Sequence, residues 1–167
     1  MIITGYQGIG KTTLASKNDK IIDLESSSFW KHEEDVFLNK TGNRTRPDDW
    51  YIYYCQVAQD LSRQGYTVFV SCHREVRKWL SIHNTERFCA IFPDISVKND
   101  WLRRLNARYE ESKSEKDLRA YEHAKIFFDQ DIRQLWHESQ YGEEYYHDIR
   151  VIKDINYSLE ELVNSLQ

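Results

Sequence analysis

Met1-Ile2-Ile3-Thr4-Gly5-Tyr6-Gln7-Gly8-Ile9-Gly10-Lys11-Thr12-Thr13 opens the chain, and its reading decides the fold. Gly5 to Thr12 satisfies G-x-x-x-x-G-K-[ST] at every fixed position. At average residue usage a chance match in a chain of 167 residues is roughly a 1% event. Glycines let the backbone turn and aim successive N–H groups inward, which makes an anion-binding nest at a helix N-terminus. Gly5, Gly8, Ile9, Gly10, Lys11, Thr12 and Thr13 are therefore the expected phosphate-binding residues. Lys11 would reach the β- and γ-phosphates of a nucleoside triphosphate, ATP by preference, and the Thr12 hydroxyl would ligate Mg²⁺. The flanks agree, since Ile2-Ile3-Thr4 reads as a strand and Lys11 to Lys17 as a short helix.

Outward from this loop, short apolar runs alternate with longer amphipathic stretches, the pattern of a parallel sheet covered by helices. The other strands read as 20–24, 67–72, 88–92 and 148–152, each short and rich in β-branched or aromatic residues. Pro47 suits a first helical turn, and Trp50, Tyr54, Val57, Ala58 and Leu61 follow at helical spacing until Gly65. A second helix is expected from Asp94-Ile95 through Trp101, Leu105 and Arg108, and a long third one over about 115–140. Ser158 and Glu161 form a capping box for a last helix ending near Leu166. Residues 1–167 thus read as one α/β domain of five strands. The stretch 26–46 is polar and weakly periodic.

Bulk properties narrow the function. The formal net charge of −4 argues against a general nucleic-acid coat, which needs a basic surface. Cys55, Cys72 and Cys89 are odd in number and lack CxxC spacing, so neither a disulfide framework nor a zinc site is expected. No run approaches a membrane span, and Met1 leads straight into the loop, so a cytoplasmic protein without membrane attachment is expected. The sequence leaves monomer and homodimer equally open.

Among nucleotide-binding classes, a GTPase would need D-x-x-G and N-K-x-D, and neither occurs. A small-molecule kinase suits one short domain. The chain resembles the nucleoside monophosphate kinases, the adenylate and thymidylate kinase-like branch, and in particular the small bacteriophage and prophage type. GYQGIGKTT, IIDLESSSF, TVFVSCHREVR, ISVKNDWLRRLNAR and DLRAYEHAKIFFDQDI carry the resemblance. It implies a three-layer P-loop NTPase fold with a five-stranded parallel sheet of order 2-3-1-4-5 flanked by helices. It also implies an acceptor region over about 25–50 and a short mobile lid over about 108–119.

Arg104 and Arg108 stand at i,i+4 on one helical face, where like charges cost a few tenths of a kcal/mol. Cations brought in by a closing lid stabilise the charge that spreads over a transferring phosphoryl group. By resemblance, Arg104 would lie near the donor base or phosphates, and Arg108 and Arg119 would clamp the transferring group; Arg103 reads as surface charge. The resemblance places an acceptor-phosphate arginine among Arg44, Arg46, Arg74 and Arg77. Many relatives end the third strand with an aspartate that orders Mg²⁺, whereas this chain has Ser71-Cys72-His73; Asp23 is the expected substitute, with Glu25 beyond it. His73 reads as a cap or hydrogen-bonded structural residue. Phe29, Trp30 and Trp50 are candidates to stack an acceptor base. The expected activity is ATP- and Mg²⁺-dependent transfer to a nucleoside or deoxynucleoside monophosphate. The alternatives are a kinase for a hydroxyl acceptor and a regulatory protein that binds or slowly hydrolyses nucleotide.

Overall fold

The fold is described from a computed structural model covering residues 1–29, 31–32, 44–45, 47–140 and 145–166, with only the backbone at 31–32 and 44–45. Arg46 and Trp30, and the Arg44 side chain, lie outside the described residues.

The strands of the main sheet are β1 (Ile2–Gly5), β2 (Ile21–Asp23), β5 (Thr67–Val70), β6 (Phe88–Pro93) and β7 (Asp148–Ile152), all parallel in the order β2-β5-β1-β6-β7. Counted within the sheet this is 2-3-1-4-5, as the resemblance implies. Ile3 pairs Phe69 on one side and Cys89 on the other. Ile2, Ile3, Val68, Phe69, Val70, Cys89, Ala90 and Ile91 are fully buried, because a central parallel strand is covered on both faces. A separate antiparallel pair, β3 (Lys31–His32) with β4 (Arg44–Thr45), falls in the stretch that has no clear sequence period.

The helices are α1 (Lys11–Ala15), α2 (Trp50–Arg63), α3 (Arg74–His83), α4 (Lys98–Ser112), α5 (Glu115–Ser139) and α6 (Leu159–Asn164). α2 starts three residues after Pro47, which lies in the preceding turn and accepts from the Trp50 N–H. Its end is a Schellman motif: Gly65 at φ 90 lets Gly65 N–H reach Ser62 and Tyr66 N–H reach Leu61. Asp94 caps a 3₁₀ turn, Ile95–Val97, and α4 follows it. Ser158 accepts from the Glu161 N–H at 3.3 Å, as the capping box requires.

The structure adds two features to the sequence reading. α3 has no counterpart in the sequence reading, because its inward face carries Arg77 beside Val76 and Leu80. The second is the geometry of 108–119, the segment expected to form a short mobile lid. This segment is helical apart from Lys113 and Ser114, with Ser114 capping α5 through the Asp117 N–H. It is a helix–helix corner between α4 and α5, which pack against each other.

Candidate functional site

Gly5 to Lys11 connects the central strand β1 to α1 at the C-terminal edge of the sheet, where ligands of open α/β sheets sit. Gly8 and Gly10 adopt φ 85 and φ 96, which L side chains rarely tolerate. Two carbonyls of the loop are held from outside it. Trp101 Nε1 of α4 donates to Gln7 at 3.0 Å, and the Tyr157 hydroxyl donates to Ile9 at 2.9 Å. Two side chains that stack on each other thus hold adjacent parts of the loop. A Cβ at Gly8 would stand 2.8 Å from Leu105 Cδ2 and 3.3 Å from Trp101 Nε1. Gly8→Ala is therefore expected to cost at least about 1–2 kcal/mol of stability through the left-handed backbone alone, read as a lowered urea midpoint.

Lys11 folds back over the loop, its Nζ donating to the carbonyls of Gly5 at 2.8 Å and Tyr6 at 3.3 Å. Desolvation lowers its pKa, the charges of Asp23 and Glu25 work against that, and Arg108 adds to it. The two carboxylates thus favour the ammonium and the Arg108 guanidinium opposes it. The Thr12 hydroxyl donates to Asp23 Oδ2 at 2.6 Å, joining α1 to the end of β2. Glu25, two residues on, is ion-paired with Lys116 in the first turn of α5. Desolvation would raise the Glu25 carboxyl, but Lys116 and Ser27 outweigh it and hold it below the usual range.

Arg108 is half-exposed and pairs with Asp117 across the α4–α5 corner. Arg119 pairs with Glu115 one turn back along α5, and both side chains are exposed. Of the two expected clamp residues, only Arg108 acts on Lys11, while Arg119 is in the arrangement of an ordinary surface pair.

Arg104 lies over the rings of Trp101 and Tyr157, at 5.6 Å and 5.3 Å from their centroids, and those rings are nearly parallel. It borders a cavity of about 240 Å³ lined also by Ile9, Gly10, Thr13, Leu14 and Ser158. The residue expected near a donor base thus stands beside the loop at an opening with apolar and planar surfaces. Tyr157 is the partner that the sequence reading missed; 53 residues separate it from Arg104, and no local pattern marks it.

The acceptor side departs further from expectation. Arg77 is buried and its guanidinium is fully engaged: Nε and Nη2 donate to the Glu138 carboxylate at 2.7 and 2.8 Å, and Nη1 donates to the Cys72 carbonyl. It is a structural tie between α3, α5 and the end of β5, not an acceptor residue. Arg74 lines a groove between α3 and α5. Trp50 is only 5% exposed, packed against Tyr54 and His73, and has no free face for a base. Phe29 is half-buried, edge-on to Tyr54 at 5.1 Å. His73 Nδ1 is 2.8 Å from Ser71 Oγ, a hydrogen-bonded arrangement as expected.

The Arg77 and Glu138 side chains are 5% and 8% exposed, and the Tyr146 hydroxyl donates to the same carboxylate at 2.7 Å. Glu138→Ala leaves a buried guanidinium unpaired and is expected to cost about 3–5 kcal/mol. Arg77→Met with Glu138→Leu should recover most of that, and urea titration of the two variants measures both.

No protein-family model matches the chain, and no curated protein sequence matches it. Among solved structures, an uncharacterized protein from Eubacterium ventriosum ATCC 27560 is similar at 13% identity and a TM-score of 0.47. The alignment covers 99% of this chain and 96% of that one. At this level the likeness says nothing of function.

Proposed function

We propose that the chain is an ATP- and Mg²⁺-dependent kinase of the P-loop class, acting on a nucleoside or deoxynucleoside monophosphate. One observation carries the reading: Lys11 folds over the glycine loop that follows the central strand, and the Thr12–Asp23 hydrogen bond stands at the end of that loop. Arg108, which acts on Lys11 from α4, is of more use to phosphoryl transfer than to nucleotide binding alone, and this weighs against a purely binding regulator.

The donor groups fit the cofactors. A hydroxyl and a carboxylate oxygen 2.6 Å apart are the hard oxygen ligands that Mg²⁺ takes. Gln7 Nε2, in the glycine loop, is a buried donor without a hydrogen-bond acceptor among the described residues. Thr12 and Asp23 would hold the metal, which when bound neutralises charge on the β- and γ-phosphates. Lys11 would exchange its two carbonyl acceptors for phosphate oxygens, and the glycine-loop N–H groups would hold the rest. Arg108 would leave Asp117 to meet the charge that develops on the transferring group.

A hydroxyl acceptor is the second reading, and Glu25 favours it. Residues 23 and 25 alternate along extended chain leaving β2, so both carboxylates bear on Lys11. A carboxylate suits a hydroxyl that must lose a proton, and a phosphate acceptor calls for cations instead. Among the described residues, Arg77 is committed elsewhere and Arg74 faces another groove. Incubating the protein with ATP, Mg²⁺ and each common nucleoside monophosphate, deoxynucleoside monophosphate and nucleoside, and reading ADP release, tests both. Turnover with a monophosphate is expected. Release with nucleosides alone would transfer the reading to the hydroxyl class, and release with none would overturn both for these acceptors.

A further inference from the structure

A cavity of about 470 Å³, larger than the one beside Arg104, lies between α3 and α5. Arg74 and Lys78 of α3 line it, facing Gln130, Gln134 and His137 of α5, with Tyr145 at one end. Gln130 is 14 residues along α5 from Lys116, about 21 Å at 1.5 Å per residue, so the α5 wall of this groove is far from the Lys116–Glu25 ion pair.

Its electrostatics are lopsided. Arg74 and Lys78 are exposed, stand at i,i+4 on one helical face and repel each other. Neither has an ion-pair partner among the described residues. Among the described residues, the carboxylate that lines the groove is Glu138, and it is already neutralised by bidentate Arg77, Tyr146 and the Gln134 amide at 3.2 Å. Burial pushes the Tyr145 phenol up to about 12, so near neutral pH it is a hydrogen-bond donor. The result is two cations without an ion-pair partner among the described residues, in a groove lined also by amides, a phenol and a compensated carboxylate. Small-molecule sites of this volume are usually apolar with a few polar groups. A wall of this kind instead suits a compact anion. A phosphate monoester carries a charge of about −1.5 to −2 and three acceptor oxygens, enough to engage both cations and the neutral donors together.

We propose that the α3–α5 groove is a second ligand site, taking a small molecule through a phosphate or pyrophosphate group held between Arg74 and Lys78. It is independent of phosphate binding at the glycine loop. Inorganic pyrophosphate is the probe, titrated into the isotope-labelled full chain and followed by NMR. The ring signals of His137 and Tyr145 report the groove, and the amides of Gly8 and Gly10 report the loop. Both sets are expected to move and saturate, each with its own apparent Kd. Arg74→Ala with Lys78→Ala should weaken the groove response at least tenfold, about the worth of one charge-assisted hydrogen bond. The loop response should remain, and Lys11→Met should do the reverse. Both α3 side chains are exposed, and a retained dispersed spectrum verifies that the double variant folds. The proposal is overturned if the His137 and Tyr145 signals fail to saturate, if the double variant leaves them unchanged, or if they follow Lys11→Met. Succinate is the second arm; binding as tight as that of pyrophosphate would make this a general anion patch and defeat the phosphate assignment.

Discussion

Lys11→Met is expected to lower phosphoryl transfer by more than about 10³, roughly 4 kcal/mol of transition-state stabilisation, with the fold retained. The size follows from where the ammonium sits. It is held by two loop carbonyls, in a place where desolvation already lowers its pKa and where Asp23, Glu25 and Arg108 all act on it. An ammonium in that position costs stability in the free protein and gains it back against phosphate oxygens. Methionine keeps most of the stem and discards the charge, so circular dichroism and the urea midpoint should change little. Single-turnover measurement of [γ-³²P]ATP consumption with the accepted substrate reads the rate. Turnover within tenfold of the parent would remove the phosphate-loop reading.

The parts of this molecule that the sequence announces are those whose causes are local. A strand, a glycine loop with fixed positions and a lysine at its end can be read from Met1 to Thr12, because each step depends on neighbouring residues. The capping box at Ser158 and the Gly65 helix end are equally local, and both occur where expected. α3 was hidden for the opposite reason. Only Val76 and Leu80 mark its apolar face, and Arg77 faces inward because Glu138 waits 61 residues further along the chain. The same non-local pairing explains why Arg77 looked available to an acceptor. The geometry of the polar run 110–114 is likewise set by residues outside it: Asp117 draws Arg108 and Ser112 together and Ser114 caps the next helix. Tyr157 and Lys116 belong to the site through contacts at separations of 148 and 91 residues. Sequence order alone does not bring them together.

Asp23→Asn and Arg108→Ala separate the two acceptor classes, and their relative damage is the informative quantity. Near neutral pH a monophosphate acceptor is already an anion, since its second pKa is about 6. It needs cations against the donor phosphates and no base. Asp23 would then act through the metal that Thr12 also holds, and Asp23→Asn should lose about 10–100-fold, partly recoverable at high Mg²⁺. Arg108→Ala should lose more, because its charge would lie on the reacting group once it leaves Asp117. A hydroxyl acceptor reverses the order. Its proton must leave toward a carboxylate, and Asp23 and Glu25 are the two that bear on Lys11. Removing Asp23 would then take away a carboxylate that orients the acceptor hydroxyl or accepts its proton, a loss that no Mg²⁺ concentration restores. Glu25→Gln would remove the neighbouring base and should be as severe, with Lys116 left unpaired. Measuring kcat/KM for the three variants across a Mg²⁺ series decides the matter. A severe Arg108→Ala with an Mg²⁺-rescued Asp23→Asn keeps the monophosphate reading. Abolished activity in both carboxylate variants, beside a mild Arg108→Ala, gives the site to a hydroxyl acceptor.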